Sequence, residues 1–351
     1  MHAGFALRLC GASLLLLTTH AVAAESALAP PDATLAARSS TGATATEYWD
    51  VTTWLESGDR FFARFLVTNR GPGVGTAAAV GHLVLADGEI LPFKWGRRSN
   101  AWTLGPEGRS LDIAKATLAL DGPAVVVEIA NAKHGIDVRL EIARSGPLVT
   151  TGALQDGYAV DVAMPAPAWG HIRTRGVDAR SVVGTGAVTH TWMELPESDL
   201  IRRRLDLLTR EGDVAMYLSD LTLADGTRRS TAVVSRADRV WVRTDDLTLH
   251  FGSGTTIGGD SRYPLTREWE TASSTLAAHV AVVRELVRLD PLDIIPQPFR
   301  MLVALGGRPQ LVWADAKADL RMAPEGRQST VRAHGNGIVV AAFAQPSSDH
   351  E

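Results

Sequence analysis

The stretch YWDVTTWLESGDRFFARFLVTNRG, residues 48–71, decides the fold expected of this chain. It contains two runs rich in aliphatic and aromatic side chains, Tyr48 to Leu55 and Phe61 to Val67. Ser57-Gly58-Asp59 separates the runs and Asn69-Arg70-Gly71 follows the second. Glycine beside aspartate or asparagine is typical of tight turns, because these residues tolerate the backbone angles that such turns need. The stretch therefore predicts two antiparallel strands joined by a hairpin.

The same rhythm continues along the chain. Asp-Gly pairs stand at 87–88, 121–122, 156–157 and 225–226. Asp-Gly between apolar runs is among the strongest short-range hairpin signals. The further runs expected to be strands include 81–85, 125–129, 138–142, 214–218, 240–243 and 247–251. We therefore predict an all-β protein made of antiparallel strands.

Two segments fit a helix nearly as well as a strand. The apolar residues of 199–210 suit both spacings, and Ser198 with Asp199 would cap a helix there. The apolar residues of 273–289 lie along a helical stripe, but the β-branched valines among them favour extended structure. The first segment stays open between helix and strand, and the second leans toward a strand.

Length and composition set the domain organisation. The chain has 351 residues, 45% hydrophobic and 21% charged, with a formal net charge of −4 and no long run of one sign. A nucleic-acid-binding protein would show a basic surface, so we exclude that class. The number of hairpins exceeds one small barrel, and open sheet edges need cover. We predict a flexible leader at 25–46. Two tandem antiparallel β-barrel or sandwich domains follow at 47–167 and 168–345. The boundary is placed there because the prolines of Met164-Pro165-Ala166-Pro167 would end a strand.

The first 24 residues have the pattern of a secretory signal peptide. Arg8 precedes a short apolar stretch centred on Leu14 to Leu17, and Ala21-Val22-Ala23 supplies the small residues of a cleavage site. The apolar stretch is too short to span a bilayer. We expect a secreted or periplasmic mature chain with no integral membrane segment. Removal of the signal peptide would remove Cys10, the only cysteine, and with it any disulfide or thiolate site.

The most distinctive segment runs from Gly184 to Trp192. Its Gly184-Thr185-Gly186 turn permits close backbone approach, and strand alternation then places Val188, His190 and Trp192 on one face. A histidine beside a tryptophan on an inward face suits an acid or a polar anchor in an apolar pocket. The same pattern also fits a core histidine that donates to a backbone carbonyl. His190 is therefore a catalytic candidate with a structural alternative.

Glu47-Tyr48-Trp49-Asp50 opens the first predicted strand. Two carboxylates flank an aromatic pair, which would suit a general acid, although an aromatic core with solvated acids fits equally well. Alternation puts Glu47 and Trp49 on one face and Tyr48 and Asp50 on the other. We take Glu47 as the second catalytic candidate, and Tyr48, Trp49 and Trp192 as candidate ligand-binding residues.

No pattern in the sequence indicates a metal or a cofactor. The histidines beyond the signal peptide are scattered singly, without His-x-x-x-His or His-Glu-x-x-His spacing, so no metal site is predicted. No Walker loop, dinucleotide fingerprint or Gly-x-Ser-x-Gly elbow is present, so no cofactor is expected. Nine tryptophans would suit the walls of an elongated apolar pocket, and equally an ordinary barrel core.

The two candidate segments resemble the lipocalin-like superfamily that joins carotenoid 1,2-hydratase (hydroxyneurosporene synthase), AttH-like bacterial proteins, the yeast survival-factor family, tocopherol cyclase and fungal decalin-forming cyclases. An acidic residue with two aromatics, at Glu47 to Trp49, is similar to the opening strand of that family. The Gly-x-Gly-x-x-x-His-x-Trp pattern of Gly184 to Trp192 is similar to its entry into the second domain, and Tyr263-Pro264 with Trp269 resembles a later segment.

This resemblance implies two tandem lipocalin-like domains and a pocket for an isoprenoid, lipid or polyketide-like molecule, with Trp269 among the ligand-binding residues. The sequence departs from the family at Asp50, where an aromatic is common, at 187–189, which lacks the usual acid, and at Met193, which replaces a glycine. The first expectation is therefore an exported protein that binds a hydrophobic small molecule. The alternative is a cofactor-free hydratase, isomerase or cyclase that protonates a polyene or terpenoid through His190 or Glu47.

Overall fold

The computed structural model describes residues 33–38, 42–69, 75–98, 100–154, 157–245, 247–252, 256–257, 263–290, 309–323 and 331–344. The predicted signal peptide lies outside these residues. Within them the only α-helix is a single turn, α1 (Glu197–Leu200), and two curled antiparallel sheets form the rest of the architecture. The prediction of an all-β fold with two tandem lipocalin-like domains is confirmed. No helix in this part of the chain is long and apolar enough to cross a membrane.

The first sheet has twelve strands. In chain order they are β1 (Thr46–Leu55), β2 (Arg60–Thr68), β3 (Thr76–Val84), β4 (Ile90–Arg97), β5 (Thr103–Leu104), β6 (Ser110–Ile113), β7 (Ala116–Ala119), β8 (Ala124–Asn131), β9 (Ile136–Ala143), β10 (Leu148–Leu154), β11 (Tyr158–Arg173) and β12 (Arg180–Met193). Their order in the sheet is β4-β3-β2-β1-β12-β11-β9-β8-β7-β6-β5, and β10 pairs with β11 beside this path. The inward face of the curled sheet buries an apolar core that includes Phe61, Phe65, Phe93, Leu111 and Leu140.

The second sheet has nine strands and repeats the meander. The remaining strands are β13 (Ile201–Glu211), β14 (Val214–Leu223), β15 (Arg228–Arg236), β16 (Arg239–Thr244), β17 (Thr248–Phe251), β18 (Thr256–Ile257), β19 (Leu265–Thr266), β20 (Glu268–Ala272), β21 (Leu276–Leu289), β22 (Gln310–Met322) and β23 (Val331–Phe343). The sheet order is β16-β15-β14-β13-β23-β22-β21-β20-β17, and β18 pairs with β19 separately. Its own apolar core includes Leu207, Met216, Val234, Trp269 and Val312.

A third apolar cluster lies where the two sheets pack against each other. Residues from the outer faces of both sheets form it, and the ring of Phe62 stacks on that of Trp313 with centroids 5.2 Å apart. An ion pair between Arg60 and Asp315, 2.8 Å long, also joins the two domains. Alternation along β1 serves both clusters, since Trp49 and Val51 face the first core while Tyr48 and Trp54 face the interface.

The structure resolves the two segments that fitted helix and strand alike. The 199–210 segment begins in the single turn α1 and continues as β13, and the 273–289 segment is strand β21 over Leu276–Leu289. Extended structure prevails in both because each run pairs with strands on both sides.

The domain boundary differs from the prediction. A break at 167/168 falls inside β11, and the chain leaves the first sheet only after Met193. The prolines do not end the strand, because a register shift between Ala163 and Ala166 accommodates them within the pairing of β11 with β12. Both long strands therefore belong to the first domain, and the 184–192 segment completes that domain.

Candidate functional site

Four neighbouring strands of the first sheet place four side chains, three of them polar, side by side on its inward face. Thr150 on β10 lies opposite Asp161 on β11, Asp161 lies opposite His190 on β12, and His190 lies opposite Trp49 on β1. Residues directly opposite in antiparallel strands share a face of the sheet. The backbone register therefore assembles these four side chains from parts of the sequence that are far apart.

The Gly184-Thr185-Gly186 segment lets β12 approach its neighbours closely, as the sequence predicted. A Cβ atom on Gly184 would lie 2.5 Å from the backbone oxygen of Trp54. A Cβ atom on Gly186 would lie 2.6 Å from Cγ1 of Ile142 on β9. Any larger residue at either position would push β12 away and shift the His190 ring that it carries.

His190 is fully buried, and both of its ring nitrogens are engaged. Nδ1 lies 2.9 Å from the carbonyl oxygen of Thr34, which can only accept, so Nδ1 carries a hydrogen. Nε2 lies 3.1 Å from Oε2 of Glu47. A hydrogen bond at that position needs one proton between the two groups, on the imidazole or on the carboxyl. One proton is therefore held in a hydrogen bond between His190 and Glu47.

The indole of Trp49 packs against the His190 ring of this pair. Its ring stacks on the His190 ring with centroids 4.6 Å apart and an angle of 2° between the planes. The face of an indole carries negative electrostatic potential and attracts a cationic ring. The Nε1–H of Trp49 donates to the carbonyl oxygen of Leu35 at 2.7 Å. The stack fixes the plane of the imidazole.

Asp161 supplies a second carboxylate on the other side of His190. One of its oxygens lies 3.9 Å from Nδ1 of His190, and the side chain is fully buried. Its oxygens accept hydrogen bonds from the Thr150 hydroxyl at 2.6 Å and the Arg38 guanidinium at 2.7 Å. The Arg38 guanidinium also lies over the ring of Trp192, 4.7 Å from its centroid. The site thus combines two carboxylates, one guanidinium, one imidazole and two indoles.

Residues 33–38, which we call the strap, cover this site from the predicted leader. The strap contributes the two carbonyl oxygens of Thr34 and Leu35, and its Arg38 backbone N–H donates to Oε2 of Glu47 at 2.9 Å. The Leu35 side chain is buried in the first apolar core, and the Ala37 N–H donates to the carbonyl of Gly108 at 2.9 Å. Residues 33–38, which the sequence predicts to be part of a flexible leader, are thus packed onto the candidate site.

The structure brings four of the six predicted site residues together. These are Glu47, Trp49, His190 and Trp192, which share the inward face of β1 and β12. Tyr48 faces the other way, into the contact between the two sheets, and Trp269 lies in the core of the second domain. Neither of these two residues reaches the His190 site.

Tyr48 instead belongs to a buried polar network between the domains. Its hydroxyl donates to a carboxylate oxygen of Glu197 at 2.7 Å, and Arg64 lies over its ring while pairing with Asp50 at 2.6 Å. Arg204 donates to Tyr48 from the second domain. Burial is the main cause that raises the pKa of Tyr48 well above its usual range, so its hydroxyl stays neutral. The network joins the two sheets.

Asp161 and Arg38 are the site residues that sequence reasoning missed. Asp161 stands alone among apolar residues of β11, and such a lone carboxylate in a buried run is the one signal that would have drawn attention to it. Arg38 lies in a segment without periodicity and carries no such signal. Across the described ranges, no three histidine, cysteine, aspartate or glutamate side chains are placed to hold a metal ion.

The comparisons with known proteins agree with the fold. Neither a family model nor a curated protein matches the sequence. Among solved structures, a protein assigned as AttH from Nitrosomonas europaea superposes with a TM-score of 0.64 at 14% identity, covering 91% of this chain and 100% of its own. CghA bound to Sch210972 gives 0.60 at 13% identity, covering 86% and 89%. Kievitone hydratase from Nectria haematococca gives 0.59 at 9% identity, covering 86% and 90%.

These likenesses span both domains and confirm the resemblance to the lipocalin-like, carotenoid hydratase type of fold. At such low identities they establish the fold alone, because one fold hosts many chemistries. The chemistry of the site depends on its own residues.

Proposed function

We propose that this protein binds a hydrophobic small molecule inside its first β domain and transfers a proton to it from His190. One observation carries the proposal: a fully buried imidazole stacks on Trp49 and lies between the carboxylates of Glu47 and Asp161. Burying such a set inside an apolar barrel costs free energy that a purely structural core would avoid. Buried ionisable groups that face one another are typical of catalytic sites.

The arrangement supports general acid catalysis on a carbon–carbon double bond. The Nδ1–H proton passes to one carbon, the π electron pair forms the new C–H bond, and the neighbouring carbon becomes cationic. The indole faces of Trp49 and Trp192 would stabilise that cation. Water then bonds to the cationic carbon and gives up a proton to Nδ1, so that one alkene and one water form one alcohol. Loss of a neighbouring proton to Nδ1 instead gives an isomerised alkene.

Glu47 and Asp161 have separate roles in this scheme. Glu47 contacts Nε2, so its carboxylate accepts the Nε2–H hydrogen bond both before and after Nδ1 gives up its proton. Asp161 lies near Nδ1, where proton transfer occurs, and Thr150 and Arg38 hold its carboxylate in place. Of the solved relatives, kievitone hydratase carries a hydratase name, which agrees with this reaction class.

The test is proton exchange in heavy water. The wild-type protein is incubated in D₂O with a panel of terpenoid and polyketide-like alkenes, and mass spectrometry reports deuterium incorporation or the addition of water. We expect incorporation with the wild type and none with His190→Gln. His171→Gln is the matched control, because His171 is exposed on the same sheet. Unchanged exchange in His190→Gln would overturn the proposal.

A second candidate is a binding protein that returns its ligand unchanged. It is favoured by the fact that both ring nitrogens of His190 are already bonded within the protein. In that case the panel would quench tryptophan fluorescence saturably without any deuterium incorporation, and His190→Gln would weaken binding only.

We further propose that the mature chain is exported and acts in the periplasm or outside the cell. The pattern from Arg8 to Ala23 supports this location. Intact-mass measurement of the protein from cell fractions tests it, with a mature start near residue 25 expected. A full-length chain found only in the cytoplasm would contradict it.

A further inference from the structure

The strap shows what chemistry the candidate site accepts. Two of its carbonyl oxygens accept the Nδ1–H of His190 and the Nε1–H of Trp49, and one backbone N–H donates to Glu47. Between those polar groups, Leu35 places an alkyl side chain that is only 3% exposed into the apolar core. The site is therefore complementary to an apolar body with oxygen acceptors at its edge.

A further donor at the site has no acceptor. The Nε1 atom of Trp192 is buried and has no hydrogen-bond partner among the described residues. Trp192 shares the inward face of β12 with His190. A buried N–H without an acceptor is costly, so an additional oxygen near this indole would be favourable.

We propose that the strap occupies the position in which the ligand binds. The ligand is then an apolar molecule that bears a carbonyl-type oxygen, as an aldehyde, ketone or amide does, and is not a hydrocarbon. This inference rests on the proposed function, because it names the substrate class of the same site. A hydrocarbon in place of the strap would leave the His190 and Trp49 donors buried without acceptors. Each such donor weakens binding by roughly tenfold or more.

A ligand that takes the place of the strap has to replace a defined set of contacts. Besides its bonds to the site side chains, which include the ion pair between Arg38 and Asp161, the strap is held by the buried Leu35 side chain, by Ala37 packed against the core and by the Ala37 hydrogen bond to Gly108. Leu35→Asp would place a carboxylate in the apolar core and drive the strap out. Ile90→Asp is the matched control, because Ile90 is 44% exposed on β4 of the same sheet.

The experiment compares farnesal with farnesene, which share a carbon skeleton; farnesal ends in an aldehyde where farnesene ends in a carbon–carbon double bond. Tryptophan quenching on the full chain should give at least roughly tenfold tighter binding of farnesal than of farnesene. Leu35→Asp should bind farnesal several-fold more tightly than the wild type or Ile90→Asp. In wild-type protein, farnesal should also remove hydrogen-exchange protection from the Ala37 and Arg38 amides, a measurement that does not depend on the folding of any variant.

The outcomes separate this inference from the proposed function. Equal affinity for both compounds, or farnesal binding with unchanged protection of the strap amides, would overturn the inference and leave the proposed function standing. Weaker farnesal binding by a folded Leu35→Asp would show that the strap is part of the binding wall, and would also overturn it. If neither compound, nor any member of the alkene panel, binds to the wild type or to Leu35→Asp, the proposed function fails as well.

Discussion

Two buried histidines of the first sheet have opposite environments. His190 lies on the inward face, where Glu47 and Asp161 flank its ring. His82 on β3 lies on the outward face, where the edge of its ring meets Trp313 of the second domain at 6.5 Å. The Nδ1 atom of His82 has no hydrogen-bond partner within the described part of the chain, and burial lowers its pKa to about 4. His190, in contrast, has hydrogen-bond partners at both ring nitrogens.

The difference shows that burial alone does not make a histidine an acid. Removing water destabilises the imidazolium, so an isolated buried ring becomes neutral, as His82 does. His190 differs from His82 because a carboxylate oxygen of Glu47 lies within hydrogen-bond distance of its Nε2 atom. In one sheet, the face that a strand residue occupies therefore decides whether a buried histidine lies beside carboxylates, as His190 does, or beside an aromatic ring, as His82 does.

The largest expected effect is on catalysis. His190→Gln should lower the rate of deuterium incorporation by about 10²–10⁴-fold, since a positioned acid contributes on that order. His82→Gln should leave the rate within about twofold under the same reasoning, because it lies on the other face. Mass-spectrometric exchange rates with one alkene measure both variants. A similar loss in both would show that the two histidines act only through the stability of the sheet.

The next effect is on stability at the inward site. Asp161→Ala should lower the free energy of unfolding by about 3–5 kcal/mol, because it removes the fully buried carboxylate that pairs with the Arg38 guanidinium. Urea unfolding followed by fluorescence gives the value. Asp238→Ala serves as the control, since its side chain is 76% exposed, and it should change little. A loss below about 1 kcal/mol would mean that Asp161 contributes no charge to the cluster.

The pH dependence of stability should identify the outward histidine. The folded-state pKa of His82 is about 4, below its ordinary value of 6.5, so the unfolded chain takes up a proton first as the pH falls. Neutral His82 therefore makes its full contribution to the free energy of unfolding above pH 6.5. This contribution, about 3 kcal/mol, is lost as the pH falls from 6.5 toward 4. Urea titrations at a series of pH values measure this loss, which should be absent in His82→Gln. Parallel curves for wild type and variant would contradict the assignment.

The smallest effect concerns the indole beneath His190. Trp49→Phe removes the hydrogen bond to Leu35, whereas Trp95→Phe removes an indole for which no hydrogen bond is found in the described residues. Both variants lose some packing, but Trp49→Phe should cost about 1 kcal/mol more, the net worth of one such bond. Thermal or urea unfolding of the pair measures the difference. Equal losses would mean that the strap does not bond to Trp49 in solution.

The sequence predicts individual strands well because side-chain alternation is local. Tyr48 and Trp49 lie on opposite faces of β1 as alternation requires, and Glu47 lies beside Trp49. What local patterns cannot supply is which strands become neighbours. The contact between Glu47 and His190 depends on the pairing of β1 with β12, and the place of Trp269 in the second core depends on β17, β20 and β21.

The missed residues show the same limit. Asp161 acquires its role only because β11 pairs with β12 in a register that sets it opposite His190. Arg38 acts from an irregular segment, so neither a helical nor a strand period marks it. The boundary at 167/168 was wrong because a register shift absorbs the prolines of β11 without ending the strand.

The pairing of β1 with β12 also sets an order of assembly. Trp49 and His190 are far apart in the chain, with most of the first domain between them, so their contact has a high entropic cost of loop closure. Until the ribosome has produced the chain through Met193, β1 can pair only with β2. The strap is made before all other described residues, yet its binding partners on β12 come late, so it is among the last segments to reach its native place.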